Sequence, residues 1–282
     1  MFLTKKWKHI QSYLFYLCIF LKEVKLKILN FSEKKYKIDE KITNIFMSKL
    51  LIIGGGEIGK FETLPFDKRN IELTGKKHPK VLFIPTASLE SPSYIQAFKK
   101  VYQEKLGANV DVLYLLNEKP KLQDLKKKIL SSDLIYVGGG NTLKMMKRWR
   151  FLGVDKILKE AYKRNIVLSG CSAGGICWFE YGHSDSMSSY DPENWNYIRV
   201  KGLGLLEGIH CPHFNSQTLG KKRGKSFEEF MKKYPSIKGV AIDNHAALEI
   251  VNGNHSVLKA KEKRGVYEVL FQNSKIIIKK FD

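Results

Sequence analysis

From Lys49 onward, short apolar runs alternate with longer amphipathic stretches. The runs are rich in Val, Ile and Leu, which is typical of buried strands; they are LLIIGG, VLFIPTAS, VDVLYLL, LIYVGGG and NIVLSGC. Between several of them, apolar residues recur three and four positions apart, which predicts helices, as in SPSYIQAFKKVYQEKL and KLQDLKKKIL. Strands that alternate with helices predict an α/β domain with a mostly parallel sheet and helices on both faces.

The C-terminal part of the chain has a different pattern. GVAIDN, ALEIVNGNHSVLKAK, VYEVLFQ and KIIIKK are apolar runs joined by short turns, and Asn252-Gly253 is a strong hairpin signal. We expect antiparallel strands that extend the same sheet. Since no linker-like segment interrupts the pattern, residues 47–282 are predicted to form a single α/β domain.

Residues 1–46 differ in composition from the rest. They are rich in Lys, and their one apolar run, Tyr13 to Leu21, is too short to span a bilayer. The segment is either an amphipathic extension that rests on a membrane or on the domain, or it is not translated and the protein starts at Met47. We favour the second interpretation because MSKLLIIGGG opens a well-formed strand directly after that methionine.

Composition and charge narrow the function classes. The net charge of +21 raises nucleic acid as a partner, but Lys is spread along the whole chain, with no zinc-finger spacing and no compact Arg patch. We therefore predict no nucleic-acid partner and no stable membrane insertion. The small peptide that we expect as the ligand is implied only by a family resemblance described below, and a homodimer is a further expectation. Four cysteines in 282 residues do not form a disulfide framework, which favours a cytoplasmic location.

Two glycine-rich loops follow predicted strands. GGGEIG, residues 54–59, satisfies a dinucleotide-binding pattern, but the following stretch is a weak helix at best and the next strand lacks the acidic end. The second loop, Gly138 to Gly140, leads through Asn141 and Thr142 into a clear helix. It can be a tight turn with Asn141 as the N-cap and an anion-binding loop at the same time, and Asn141 and Thr142 are predicted to contact substrate.

The segment NIVLSGCSAGGICWFE has the pattern of a strand-turn-helix nucleophile elbow, with Ser172 between Gly170 and Gly174. A serine needs a base, and four histidines are candidates: His183, His210, His213 and His245. We favour His213, which follows Pro212 at the end of an apolar run. The spacing of His210, Cys211 and His213 matches no standard zinc set, so neither a metal nor another cofactor is predicted.

The base in turn needs an orienting acid, and four carboxylates lie between Ser172 and His213. They are Glu180, Asp185, Asp191 and Glu193. The chain order would then be nucleophile, acid, base, as in α/β-hydrolases. The residues alone leave the choice among the four open.

Together, GCSAGGICWFE, YVGGGNTL and CPHF resemble peptidase E, an aspartyl dipeptidase family whose fold is similar to that of class I glutamine amidotransferases. The resemblance implies a serine peptidase that hydrolyses short peptides with an N-terminal aspartate through an acyl-enzyme. It implies Ser172 as nucleophile, His213 as base and the N–H groups of Gly140 and Ala173 as the oxyanion hole. Asp185 lies near the position of that family's acid, with Glu180 as the alternative.

Other functions stay open at this point. The chain also resembles cyanophycinase, which cleaves an aspartate polymer, and the same fold would serve a non-catalytic binding protein. Amidotransferase chemistry is disfavoured because the elbow position is Ser172 and not cysteine. A cationic pocket would select an acidic side chain, and Arg199 is one candidate for the cation.

Overall fold

A computed structural model describes residues 48–117 and 120–281. The predictions for residues 1–46, and for a start at Met47, lie outside these residues. The described residues belong to one compact unit. No helix within them is long and apolar enough to cross a membrane.

Strands form at the apolar runs for which they were predicted, and the structure has further strands besides these. In chain order they are β1 Lys49–Ile53, β2 Lys80–Ile84, β3 Asn109–Val112, β4 Leu134–Val137, β5 Val167–Cys171, β6 Phe179–Ser184, β7 Ile198–Lys201, β8 Leu206–Cys211, β9 Gln217–Thr218, β10 Lys221–Lys222, β11 Gly239–Ile242, β12 Ala246–Val251, β13 Asn254–Lys259, β14 Val266–Gln272 and β15 Lys275–Lys280.

The α-helices lie between them. They are α1 Leu64–Thr74, α2 Pro92–Lys99, α3 Leu122–Leu130, α4 Thr142–Leu152, α5 Val154–Lys163, α6 Ala173–Ile176 and α7 Arg223–Lys232. A π-helical segment, Lys100–Lys105, continues α2, and 3-10 turns cover Ile58–Lys60, Thr86–Ser88 and Ser186–Ser189. The stretch after Gly59 was expected to be a weak helix at best, yet α1 runs for 11 residues because Phe66 and Leu73 pack into the core.

The first sheet has seven strands in the order β13-β12-β1-β5-β4-β2-β3. β1, β5, β4, β2 and β3 are parallel, and β12 joins β1 antiparallel. The predicted mostly parallel sheet is therefore confirmed. Because β5 lies between β1 and β4, the loops at the carboxyl ends of these three strands meet at one place.

Helices cover both faces of this sheet, as predicted. In β1, Leu50 and Ile52 pack into one apolar cluster and Leu51 and Ile53 into the other, because successive side chains of a strand point to opposite faces. The first cluster includes side chains of α3, α4 and α5, and the second includes side chains of α1 and α2. The fold is of the α/β, flavodoxin-like class.

A second sheet of six strands, in the order β15-β14-β11-β8-β6-β7, corrects one expectation. The C-terminal strands were expected to extend a single sheet, but only β12 and β13 do so. β11 pairs parallel with β8, and β14 and β15 follow it antiparallel. The predicted hairpin is confirmed between β12 and β13, where Asn252 and Gly253 both have positive φ.

Candidate active site

Ser172 lies on a sharp turn between β5 and α6. Its φ of 56° and ψ of −112° lie outside the helical and extended regions that non-glycine residues prefer, and its N–H donates to the Ile53 carbonyl over 3.1 Å. This is the geometry of a nucleophile elbow, which projects the hydroxyl at the edge of the sheet. The structure thus places the predicted serine at the carboxyl end of a central strand.

The glycines beside Ser172 are required by close packing. A Cβ at Gly170 would lie 2.2 Å from the Gly174 carbonyl oxygen, and a Cβ at Gly174 would lie 2.0 Å from the Val137 carbonyl oxygen. Both distances are far below van der Waals contact, so no larger residue fits without moving backbone. The spacing of glycine, serine and glycine that the sequence displays therefore has a steric cause.

His213 reaches the serine from the second sheet. It follows β8 and Pro212, and its N–H donates to the Gly54 carbonyl over 3.0 Å, which holds the loop against the end of β1. Its Nε2 lies 2.7 Å from the Ser172 Oγ. That distance is within hydrogen-bonding range for proton transfer from a hydroxyl to an imidazole.

The other ring nitrogen of His213 contacts Asn244, a residue that sequence reasoning did not select. Nδ1 lies 2.5 Å from the Asn244 Oδ1. With a proton on Nδ1 donated to this carbonyl oxygen, Nε2 carries the lone pair that accepts the Ser172 hydroxyl proton. The backbone N–H of Asn244 donates to the Asn215 Oδ1 over 2.8 Å, which fixes the loop after β11 against the loop after β8.

Burial and the nearby Arg223 charge lower the pKa of His213 to about 4. The hydrogen bond to Asn244 and the charge of Asp185 act in the opposite direction but are weaker. The imidazole is therefore neutral at neutral pH, which is the form that can accept a proton.

The first glycine-rich loop packs against this histidine and its partner. A Cβ at Gly55 would lie 2.1 Å from the Asn244 Oδ1 and 2.3 Å from the His213 Nδ1, so only glycine leaves room for their contact. A Cβ at Gly54 would lie 2.2 Å from the Asp243 carbonyl oxygen. The glycine run that resembles a nucleotide-binding pattern is explained by this packing.

The second glycine-rich loop borders the nucleophile from the other side. A Cβ at Gly139 would lie 3.4 Å from the Ser172 Cβ, which places the loop after β4 beside the elbow. The N–H groups of Gly140 and Ala173 donate to no backbone acceptor among the described residues. Among the described residues, neither predicted oxyanion-hole donor has a backbone acceptor that would compete with a substrate oxygen.

Asp185 does not take the predicted position beside His213. Its Oδ2 accepts hydrogen bonds from Arg223 Nη2 and from Thr218 Oγ1, the latter over 3.0 Å, while Asn244 occupies His213 Nδ1. The alternative, Glu180, is exposed and accepts from the Gly208 N–H over 3.0 Å. The orienting group of this histidine is an amide and not a carboxylate.

The predicted substrate contacts of Asn141 and Thr142 stay predictions, and the structure shows which protein groups their side chains contact. Asn141 caps α4: its Oδ1 accepts from the Lys144 N–H over 2.9 Å, and its Nδ2 donates to the Ser186 carbonyl over 2.9 Å and to Ser189. Thr142 is 1 % exposed. Asn141 is thus partly exposed and Thr142 is buried, and the backbone of this loop at Gly139 lies beside the elbow.

The remaining candidates lie elsewhere. His183 and His210 are buried, and burial lowers the pKa of both, that of His210 to about 3. Arg199 is held between the rings of Tyr181 and Tyr234, 4.5 Å and 4.4 Å from their centroids. Within the described ranges, no group of three His, Cys, Asp or Glu side chains is arranged to hold a metal ion.

One signal in the sequence could have led to Asn244. GVAIDN is an apolar run that ends in two polar residues, and the carboxyl ends of neighbouring parallel strands share one edge of a sheet. What the sequence did not indicate is that β11 lies next to β8 in the sheet. Without that neighbour relation, Asn244 is one polar loop residue among many.

The fold and the site together define an α/β protein with an elbow serine that contacts a neutral histidine. The model of peptidase family S51 matches residues 50–258, and the chain belongs to this family. It is therefore a peptidase.

Two bacterial proteins that are named as peptidases have similar sequences. The chain is 35% identical over 207 residues to the uncharacterized peptidase YgaJ of Bacillus subtilis, covering 73% of this chain and 84% of that protein. It is 30% identical over 185 residues to the uncharacterized peptidase Lmo0363 of Listeria monocytogenes, covering 64% and 85%.

Two solved structures have a similar fold. A putative peptidase E protein from Listeria monocytogenes EGD-e matches with a TM-score of 0.57 and 24% identity, covering 75% of this chain and 98% of that chain. A peptidase from an acI-B1 Actinobacterium matches with a TM-score of 0.59 and 20% identity, covering 83% and 97%. The predicted family resemblance and fold class are confirmed.

Proposed function

We propose that the chain is a serine peptidase that removes an N-terminal aspartate from short peptides through an acyl-enzyme on Ser172. The observation that carries the proposal is the contact of 2.7 Å between the Ser172 Oγ and the Nε2 of a neutral, partly buried His213. An elbow serine within hydrogen-bonding distance of an unprotonated imidazole is the arrangement that activates a hydroxyl for attack on a carbonyl.

In the acylation step, the Ser172 hydroxyl transfers its proton to His213 Nε2 while Oγ forms a bond to the scissile carbonyl carbon. The carbonyl oxygen becomes an oxyanion, which the N–H groups of Gly140 and Ala173 stabilise by hydrogen bonds. The imidazolium then returns the proton to the leaving amine as the C–N bond breaks. Water repeats the sequence on the ester and releases the N-terminal residue.

Asn244 gives this site a neutral orienting group. Its carbonyl oxygen accepts from Nδ1–H and so keeps the lone pair of His213 on the nitrogen that faces Ser172. A carboxylate in this place would also stabilise the positively charged imidazolium. A neutral amide stabilises that charge less. Cysteine peptidases with a Cys-His-Asn arrangement use an amide in the same role.

The preference for aspartate follows from the resemblance to peptidase E, and the charge distribution supports it. Arg223 is buried and paired with Asp185, and after burial its charge is the second cause of the lowered pKa of His213. A positive charge near the site favours an acidic side chain in the bound substrate over a basic one. The proposal therefore predicts faster cleavage of Asp-Leu than of Lys-Leu.

The test is the hydrolysis of a panel of Xaa-Leu dipeptides by the full chain and by Ser172→Ala. Cleavage of Asp-Leu that falls by at least about 10³-fold in the variant supports the proposal. Ser169→Ala is the matched control: this serine lies on the same strand, and its Oγ donates to the Leu51 carbonyl over 2.9 Å. It should lose roughly 1 kcal/mol of stability and keep its activity.

Two outcomes would overturn the proposal. Full activity in Ser172→Ala would exclude this serine as the nucleophile. Absence of cleavage of every dipeptide by the folded wild-type chain would exclude the substrate class, and a serine-directed covalent probe would then report whether Ser172 is reactive at all.

A further inference from the structure

Exposed apolar side chains are concentrated around α4. Of the eight large apolar side chains that are exposed among the described residues, five lie on this helix or on segments that contact it, and each of the five is between 41% and 69% exposed. They are Leu89, Tyr114, Leu122, Phe151 and Tyr190. A single exposed apolar side chain is ordinary, but a group of them in one region marks an interaction surface. We call this group, with the basic residues around it, the α4 face.

Arg148, in the middle of α4, connects Phe151 with the segment that carries Tyr114. The Arg148 Cζ lies 5.6 Å from the centroid of the Phe151 ring. The Arg148 Nε donates to the Leu115 carbonyl over 2.5 Å, and its Nη2 donates to the Leu116 carbonyl over 3.2 Å. These bonds hold the chain after β3 against the helix, so Tyr114 and Phe151 belong to the same surface.

Leu89 is joined to this surface through the next residue, Glu90. The Glu90 Oε1 accepts from the N–H groups of Leu115 and Leu116, over 2.5 Å and 2.9 Å. The carboxylate is therefore engaged by the backbone of the same segment that Arg148 holds. The turn after β2 thus places Leu89 beside the chain after β3.

Leu122 and Tyr190 lie at the two ends of α4. At its C-terminal end, a Cβ added to Gly153 would lie 3.4 Å from the Leu122 Cδ1, which brings the first residue of α3 to this helix. At its N-terminal end, the Lys144 Nζ lies 4.7 Å from the centroid of the Tyr190 ring. The exposed apolar groups therefore follow the length of α4.

The α4 face is basic as well as apolar. The helix has the sequence TLKMMKRWRFL, with four basic residues and no acidic one. Lys144, Lys147 and Arg148 lie on the same side of the helix as Phe151, because steps of three and four residues return to one side. Lys121 is exposed next to the start of α3, a helix with three lysines and one aspartate. Cations thus surround the exposed apolar groups.

We propose that the α4 face adsorbs to an anionic lipid surface. Leucine, phenylalanine and tyrosine side chains enter the headgroup region, and lysine and arginine contact the negative lipid groups; this combination is typical of protein surfaces that lie on a membrane. The long cationic side chains can cover apolar surface while their charged ends reach the phosphates. Adsorption of this kind needs no helix that crosses the bilayer, and it does not depend on the proposed function.

Other occupants fit the α4 face less well. In a symmetric pair of chains the same surface meets itself, so the cations of one α4 would face those of the other, and α4 has no carboxylate to offer them. A nucleic acid would pair its phosphates with the cations but would leave Leu89 and Leu122 without an apolar partner. An anionic lipid surface accommodates both the charge and the apolar groups.

The experiment measures how the full chain partitions onto vesicles by co-sedimentation. The vesicles are of phosphatidylcholine with about 30% phosphatidylserine, or of phosphatidylcholine alone. Wild type should bind the first and bind the second far less. The partition coefficient of Leu122→Gln/Phe151→Gln on the anionic vesicles should be lower by roughly 10- to 100-fold, because two apolar contacts with the lipid are lost. Both side chains are exposed, so the fold should be kept.

Phe61→Gln/Leu219→Gln is the matched control. It makes the same two exchanges at exposed residues elsewhere and leaves the net charge unchanged, as the first double variant does. Lys100 and Lys105 lie over the Phe61 ring, 5.9 Å and 5.3 Å from its centroid, so a ring with neighbouring lysines is present here too. The control should bind the anionic vesicles as wild type does.

The contribution of charge is tested by Lys144→Gln/Lys147→Gln. A basic residue near an anionic membrane surface changes the partition coefficient about fivefold, so this variant should bind roughly 10- to 30-fold more weakly. Wild-type binding should also decrease when the salt concentration rises from about 0.1 M to about 1 M, because the Debye length falls from about 10 Å to about 3 Å.

Four results would overturn the proposal. The first is that wild type binds neither kind of vesicle, and the second is that it binds both equally. The third is that Leu122→Gln/Phe151→Gln binds like wild type, since another part of the chain would then hold the lipid. The fourth is a dimer that this variant abolishes in the absence of vesicle binding, which would assign the α4 face to a second copy of the chain.

Discussion

At the scale of single residues, the neutral amide of Asn244 determines how strongly the site stabilises a positive charge on His213. A neutral partner fixes the tautomer of His213 but adds little stabilisation to the imidazolium, and burial already lowers the pKa of the ring to about 4. The activity should therefore persist well below the pKa of an ordinary histidine, with the acidic limb of kcat/KM near pH 4.

Asn244→Asp tests this interpretation. A carboxylate beside Nδ1 favours the protonated ring, so the pKa of His213 rises and the acidic limb should move to higher pH by about 1–2 units. The measurement is kcat/KM for Asp-Leu from about pH 3 to about pH 8, so that the limb of the wild type lies inside the range. Asn215→Asp is the control: it places the same charge one contact further from the ring and should shift the limb less. An unchanged limb in Asn244→Asp would contradict the assigned role of the amide.

At the scale of elements, the loop between β4 and α4 depends on Gly140. Its φ is 134°, and a Cβ there would lie 2.2 Å from the Ala87 carbonyl oxygen, so the loop has to move if any side chain is present. The N–H of this residue is one of the two proposed oxyanion donors.

Gly140→Ala should consequently reduce kcat by roughly 10²-fold or more while the fold is kept. The readouts are kcat and KM for Asp-Leu and a thermal melt. Gly59→Ala is the matched control because its Cβ would meet only Ala97, at 3.5 Å. If Gly140→Ala keeps its full kcat, the loop does not supply the oxyanion hole.

The packing of α1 against the first sheet buries an acid. Asp67 is fully buried, and its two oxygens accept from Thr63 Oγ1 over 2.8 Å and from the Tyr102 hydroxyl over 2.9 Å. Burial raises the pKa of Asp67 from 3.8 to about 7. Because the folded state holds the proton more tightly than the unfolded chain, this group contributes stability below pH 4 that is lost as the pH rises through 7.

Asp67→Asn removes this dependence. The unfolding free energy of the variant relative to wild type should therefore increase between about pH 4 and pH 7, by roughly 2–4 kcal/mol. Urea unfolding at pH 4, 5, 6 and 7 measures the difference, in which contributions of the buried histidines cancel. Asp124→Asn on the exposed face of α3 should show no such trend. A constant difference for Asp67→Asn would mean that Asp67 has an ordinary affinity for protons.

At the scale of the whole molecule, the two sheets share one core. The apolar cluster on the α3–α5 side of the first sheet also contains Val200, Val240 and Val266 from the second sheet. The candidate active site likewise takes Ser172 from the end of one sheet and His213 from the end of the other. We therefore expect the described part of the chain to unfold in a single cooperative transition.

Two buried cysteines report on this cooperativity. Cys171 lies in the first sheet and Cys211 in the second, and burial raises the pKa of both thiols, that of Cys171 to about 12. Both should stay unlabelled in native protein and become labelled at the same urea concentration, read for each peptide by mass spectrometry. Labelling of Cys211 at clearly lower urea than Cys171 would show that the second sheet unfolds by itself.

The sequence by itself determined the features that depend on neighbours along the chain. The parallel strands follow from their apolar runs, and the elbow follows from Gly170, Ser172 and Gly174, because the turn brings residues four positions apart into contact. His213 could be selected because it follows an apolar run, and the end of that predicted strand lies at the same edge as Ser172.

Only the tertiary structure decided what depends on strand order. Apolar runs look alike in either sheet, so the division of the C-terminal strands between two sheets is not visible in their pattern. His213 meets Asn244, 31 residues further on, because β8 and β11 pair in parallel. Asp185 is nearer to His213 in the sequence, but its segment folds toward Arg223, 38 residues away, and the charge of that buried guanidinium holds it there.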